Sequence, residues 1–198
     1  MTIQKHDESS VVVSLDWDEI EFCNRIAASR TFDCRKNATA NNFGLKGSIN
    51  DLLKLDFQGA MAEYAVSREL NLYWSGLGGP RQPDVGFCIE VKSVVGYDRR
   101  LLITDKTPKA ADIAVLVRII SAQSVLIDGW AYIQECKNPA YVETYREGGG
   151  GYFVPNEKLR PISELKEIVH SRREDRHKCI ASKVQMCDIH SNESGLAH

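Results

Sequence analysis

The stretch that decides the fold covers residues 83–95 and reads PDVGFCIEVKSVV. Over residues 87–95 apolar side chains alternate with Cys88, Glu90 and Lys92, and β-branched residues are frequent, so this part predicts a β-strand. Glu90 and Lys92 project from one face of that strand, with about 6.6 Å between their Cα atoms. Charges on an apolar strand are costly to bury without partners. The pattern therefore favours a functional site on this face.

Two carboxylates followed closely by a lysine suit phosphodiester hydrolysis with a divalent metal. Mg²⁺ prefers hard oxygen ligands, which Asp84 and Glu90 offer. Such an ion polarises the scissile phosphate and lowers the pKa of an attacking water. The Lys92 ammonium can orient that water and offset developing charge. In the alternative interpretation Glu90 and Lys92 only solvate an exposed strand. The preceding Pro-Asp, the glycine and an upstream helix carrying Glu63 favour the site.

The spacing of Asp84 and Glu90 constrains the backbone between them. Six steps of extended strand would separate their Cα atoms by about 20 Å. The oxygens that share one ion must lie within about 4 Å of each other, twice the metal–oxygen distance. The chain must therefore fold back, and Gly86 permits the unusual backbone angles this needs. We predict a turn or bulge at residues 85–87.

The other segments predict an α/β fold, with a central mixed β-sheet flanked by helices. Glu63 lies at the edge of the apolar stripe of the second helix, so it can look into a site that borders the core. A loop is predicted over residues 36–50 and a flexible glycine break over residues 148–151. Strands are predicted at residues 11–15, 112–120 and 124–133, and helices from residue 16 and at residues 56–70, 138–145 and 163–177.

Composition sets the broad class. The 198 residues suit a single domain, predicted over residues 1–178, with a tail over residues 179–198. A net charge of -2 does not indicate a nucleic-acid binder, although residues 92–109 are locally basic and include Lys106 and Lys109 as candidate phosphate contacts. Solvated lysines are the favoured alternative for both. No apolar run approaches the roughly 20 residues of a membrane span, and no secretory signal is recognised, so a cytoplasmic protein is expected.

The cysteines are scattered and do not form a C-x-x-C pair, so free thiols are expected for all six. Near the C-terminus, His177, Cys179, Cys187 and His190 are of the types that bind zinc. The H-x-C spacing of His177 and Cys179 is unfavourable for zinc binding, and an unstructured tail is the favoured interpretation.

The residues Pro83, Asp84 and Glu90-Val-Lys92 resemble the PD-(D/E)XK motif of restriction-endonuclease-like nucleases. Glu63, within FQGAMAEYAVS at residues 57–67, resembles the acidic residue that this superfamily often places on the helix before the hairpin. The resemblance covers about residues 55–135 and is strongest to small phage-encoded members and to resolvase- or RecB-like nucleases. It implies a restriction-endonuclease-like fold in which Asp84 and Glu90 bind Mg²⁺ or Mn²⁺. It also implies that Lys92 serves the attacking water and that Glu63 adds a ligand or positions one.

The resemblance thus implies a metal-dependent deoxyribonuclease that acts on DNA and does not associate with membranes. Such a protein would work in the cytoplasm, which is the host cytoplasm if a phage encodes it, and a homodimer is left open. The alternative is an inactive nuclease-fold module that binds DNA or a protein partner. The intact set of Asp84, Glu90 and Lys92 argues against that alternative, because a binding module has no need of it.

Overall fold

The computed structural model describes residues 10–36, 48–77, 82–96, 99–146 and 149–171. The chain divides into two compact units, Met1–Ile162 and Ser163–His198. In the second unit, residues 163–171 are helical, which confirms the predicted helix as far as residue 171. The predicted tail, with its four candidate zinc ligands, lies outside the described residues.

Two long helices of the first unit pack against each other. Both begin with a capping box, in which two side chains satisfy each other's free backbone N–H groups. Asp16 and Glu19 form the first box, at 2.9 and 3.0 Å, and Ser48 and Asp51 form the second. The second cap explains why that helix starts well before the predicted residue 56. The helices are α1, Trp17–Lys36, and α2, Ile49–Glu69.

The strands of the first unit form two sheets. The first sheet is mixed, with the order β1-β5-β4-β2, and its only parallel pair in the described ranges is β2 with β4. The second sheet is antiparallel, with the order β3-β7-β6. The α/β class and the mixed sheet are as predicted, and the second sheet was not predicted. The strands are β1 Val11–Ser14, β2 Ile89–Val95, β3 Leu101–Ile103, β4 Ile113–Ile119, β5 Ser124–Tyr132, β6 Val142–Arg146 and β7 Gly149–Val154.

Two sequence predictions are wrong in the second sheet. Asn138 caps only a short 3-10 helix, Pro139–Tyr141, and the predicted helix over residues 138–145 then gives way to β6. The predicted glycine break begins β7, the central strand of its sheet, from Gly149 onward. Hydrogen bonds from β3 on one side and β6 on the other outweigh the low strand propensity of glycine. Gly151 also permits close packing, since a Cβ there would lie 2.6 Å from Leu102 Cδ1.

The core of the first unit is apolar and contains Cys23 and Cys136. These two and the partly buried Cys88 form no disulfide, as predicted for these three. A short helix, α3, Ile133–Cys136, follows β5. In the described ranges no helix combines the length and the apolar character that a membrane span requires. Helix α2 packs against β2, the strand at one edge of the mixed sheet, and this contact positions the candidate site.

Candidate active site

Glu90 and Lys92 form an ion pair on the edge strand β2. Their register partners on β4 are Ala114 and Leu116, so all four side chains lie on one face of the sheet. Lys92 Nζ donates to Glu90 Oε1 at 2.5 Å. Glu90 is only 6% exposed, and Lys92 is partly buried. The alternative of a solvated, exposed strand face therefore does not hold.

The backbone folds back between Asp84 and Glu90, which confirms the predicted turn. Val85 and Ile89 form an antiparallel bridge, with N–H to O distances of 3.0 and 3.3 Å in the two directions. Gly86 has a φ of 60°, a conformation that glycine adopts without a Cβ penalty. The turn sets Asp84 beside β2, where its Oδ2 accepts a hydrogen bond from the Val91 N–H at 2.8 Å.

Asp84 lies in an environment of excess negative charge. Burial, followed by the charges of Glu63 and Glu90, raises the pKa of the Asp84 carboxyl from 3.8 to about 8. The Val91 N–H and the Lys92 ammonium oppose this rise and are outweighed. The cluster of Asp84, Glu63 and Glu90 thus favours an added positive charge, either a proton on Asp84 or a cation beside it.

Glu63 lies on the buried side of α2, as predicted, and is 6% exposed. Arg30 of α1 binds it with two hydrogen bonds, from Nη1 to Oε1 at 2.8 Å and from Nη2 to Oε2 at 2.6 Å. Trp74 Nε1 also donates to Oε2 at 2.8 Å. Both carboxylate oxygens are therefore engaged, which fits a residue that positions its neighbours.

Arg30 was not predicted as part of the site. Its Nε donates to the Gly76 carbonyl at 2.8 Å. The same side chain therefore links Glu63 of α2 to Gly76, in the segment that follows α2. Burial opposes its charge, but the hydrogen bonds and charge of Glu63 outweigh burial and raise the pKa of Arg30. A sequence signal was present, because Arg30 continues the buried stripe of Cys23 and Ala27 at helical spacing. A charged residue in that position requires a buried partner.

Asp84 and Glu90 offer the carboxylate oxygens that a divalent cation takes as ligands. Within the described ranges no group of three His, Cys, Asp or Glu side chains is arranged to hold a metal ion. One or two carboxylates with water are the usual protein share of a Mg²⁺ site, so Asp84 and Glu90 are sufficient in number. Glu90 Oε2 is buried and has no hydrogen-bond partner among the described residues. A buried anionic oxygen in that state needs a cation or a donor, so the pair fits a divalent metal.

A pocket of about 360 Å³ opens beside Asp84. Its rim carries two aromatic side chains, Tyr73 and Phe87, which are 78% and 80% exposed. The lining residues are Tyr73, Ser75, Gln82, Pro83, Asp84, Gly86 and Phe87.

Other candidates from the sequence lie elsewhere. Lys106 and Lys109 are exposed in the loop between β3 and β4. Trp130 is buried in the core and packs edge-on against the partly buried Tyr132. Trp74 forms edge-to-face contacts with Phe22 and Tyr64 and therefore joins α1, α2 and the segment that follows α2.

Comparison of this chain with protein-family models, curated proteins and solved structures finds no match.

Asp84→Asn is expected to raise the free energy of unfolding by at least about 2 kcal/mol above pH 8, because it removes a charge from an already negative cluster. Asparagine can still accept the Val91 N–H. The folded protein, with an Asp84 pKa of about 8, keeps a proton that the unfolded chain releases near 3.8. The wild type therefore loses stability as the pH rises from about 4 to about 8, and the variant lacks that loss.

Urea unfolding near pH 4 and above pH 8 measures this difference, which should be small at the lower pH. Asp105→Asn, in an exposed loop, is the matched control and should change stability by less than about 0.5 kcal/mol at both pH values. An Asp84→Asn protein that is less stable than the wild type above pH 8 would contradict the charge argument.

Proposed function

We propose that this protein is a metal-dependent nuclease that hydrolyses DNA phosphodiester bonds. One observation carries the proposal: after the turn at Gly86, Asp84 accepts a hydrogen bond from the N–H of Val91, the residue between Glu90, which has an unpartnered buried oxygen, and Lys92. This set is the one that the PD-(D/E)XK resemblance implies. A restriction-endonuclease-like fold is part of the proposal, supported by the mixed sheet and by the packing of α2 against the strand that bears the motif.

Asp84 and Glu90 would hold Mg²⁺ or Mn²⁺. When bound, such an ion polarises the phosphate and lowers the pKa of water. Lys92 lies within hydrogen-bond distance of Glu90 and would orient the attacking water and offset charge on the phosphate. Glu63, fixed by Arg30 and Trp74, would position the other carboxylates and act through them.

The proposal predicts cleavage that depends on a divalent cation. The purified chain is incubated with supercoiled plasmid, linear duplex and single-stranded DNA in Mg²⁺, in Mn²⁺ or in EDTA. Nicked or shortened products are expected with either metal and not with EDTA, and excess Mg²⁺ should restore them. Asp84→Asn is the matched control for a contaminating nuclease, because it should lose the activity while staying folded.

The alternative, an inactive nuclease-fold module, predicts a different result in the same experiment. Such a module would bind DNA or a protein without cleaving any of the three substrates in either metal. Calorimetric titration with Mn²⁺ adds a second measurement, in which the nuclease should bind the ion and Asp84→Asn should not. Cleavage that persists in EDTA, or that Asp84→Asn retains, would contradict the metal mechanism.

A further inference from the structure

We infer that the pocket beside Asp84 binds one unpaired nucleotide of a DNA strand, with Tyr73 and Phe87 stacking on its base. The inference deepens the proposed function, on which it rests, by naming the substrate class as single-stranded or locally opened DNA.

The two rings are exposed and held at one place. Tyr73 is 78% exposed and Phe87 is 80% exposed, although each carries a large apolar surface. The Gly86 N–H donates to the Tyr73 carbonyl at 3.0 Å, so the backbone that bears one ring is tied to the residue before the other. The Val85–Ile89 bridge closes the same turn. Two exposed rings on backbone segments that are hydrogen-bonded to each other beside Asp84 suit stacking on a planar ligand.

The remaining lining fits a nucleotide. The pocket volume of about 360 Å³ lies near the lower end of the range of roughly 300–1,000 Å³ for small-ligand sites, so it suits one nucleotide. Gln82 and Ser75 are exposed at its wall and can donate to and accept from the edge of a base. Asp84 also lines the pocket, so a base held there would have its phosphate near the proposed metal ligands.

The occupant is an unpaired nucleotide for two reasons. Aromatic side chains stack on the face of a base, and in a duplex that face is covered by the neighbouring base pairs. Binding to duplex DNA depends on many phosphate contacts and usually on a strongly basic domain. This chain has 25 Lys and Arg against 27 Asp and Glu, so stacking would have to supply much of the affinity.

Fluorescence anisotropy with a short labelled oligodeoxythymidine tests the inference. Binding is measured in Ca²⁺ and in EDTA, and the same strand annealed to its complement is the second probe. The full chain should bind the single strand at least about 10-fold more tightly than the duplex. Phe87→Ala and Tyr73→Ala should each weaken single-strand binding about 5- to 100-fold. Phe87→Trp should keep it within about twofold, because the ring face is retained.

Phe32→Ala is the matched control, since Phe32 is an exposed ring of α1 that does not line the pocket. It should bind like the wild type. The inference is overturned if the duplex binds as well as the single strand, if no DNA binds, or if both alanine variants bind normally. Cleavage is scored separately, so stacking-dependent binding without cleavage in any metal contradicts the nuclease proposal alone. Metal-dependent cleavage with normal binding by the alanine variants contradicts the stacking inference alone.

Discussion

Lys92→Ala is expected to lower the rate of metal-dependent DNA cleavage by at least about 100-fold. Within the described residues, the Lys92 ammonium is the only positive charge that the structure shows in a hydrogen bond to Glu90. This ammonium would therefore have to orient the attacking water and the phosphate. The loss should appear mainly in kcat, because the charge acts on groups that change in the transition state. Single-turnover cleavage of a labelled DNA in Mg²⁺ measures it.

The structure adds a stability effect to this variant. Lys92 is the ion-pair partner of the buried Glu90. Its removal leaves the Glu90 carboxylate without that partner and should lower the free energy of unfolding by about 1–3 kcal/mol. The folded fraction is therefore checked by circular dichroism at the assay temperature. Lys92→Gln is a second variant, which can still donate to Glu90 but carries no charge, and it should also lose cleavage.

Lys54→Ala is the matched control for Lys92, because it removes an exposed lysine from α2. It should cleave at the wild-type rate. A folded Lys92→Ala protein that cleaves as fast as the wild type would show that the assigned role of this lysine is wrong.

Arg30→Ala is expected to lower the free energy of unfolding by about 3–5 kcal/mol, because it leaves the buried Glu63 carboxylate without its charged partner. Arg30 supplies two of the hydrogen bonds to Glu63 and a third to the Gly76 carbonyl. Trp74 alone would then satisfy a group that is 6% exposed. Urea denaturation followed by circular dichroism measures the change.

Arg25→Ala provides a matched control on the same helix. Arg25 pairs with Glu21, but the two side chains are 75% and 60% exposed, so removal should cost less than about 1 kcal/mol. The double variant Arg30→Met, Glu63→Gln should regain part of the stability, since no uncompensated charge stays buried. If Arg30→Ala and Arg25→Ala lower the free energy of unfolding equally, burial does not determine the contribution of the Arg30–Glu63 pair to stability.

The sequence predicted the local features well, because these depend on residues close together in the chain. Alternation of apolar and polar residues predicted β2, and the distance argument between Asp84 and Glu90 predicted the turn at Gly86. The helix predicted from residue 16 is α1, which Asp16 caps at its start. Each of these depends on a spacing of a few residues, which the backbone period converts directly into geometry.

The second sheet shows where such patterns fail. The glycines of β7 predict a break, yet β7 is a central strand because β3 and β6 supply hydrogen bonds on both of its sides. Likewise β6 follows directly after the 3-10 helix at Pro139–Tyr141, where propensity favoured more helix. Partners distant in sequence decide these strands, and strand propensity depends strongly on that context.

By itself, then, the sequence determined the α/β class, the strand that carries Glu90 and Lys92, and the reversal of the chain after Asp84. The tertiary structure alone decided that Arg30 pairs with Glu63 from 33 positions away. It also decided that burial, followed by the charges of Glu63 and Glu90, raises the pKa of Asp84. Finally, it decided that Tyr73 and Phe87 line one pocket. The physical reason is that backbone geometry follows from neighbouring residues, whereas burial and charge interactions depend on which elements pack together.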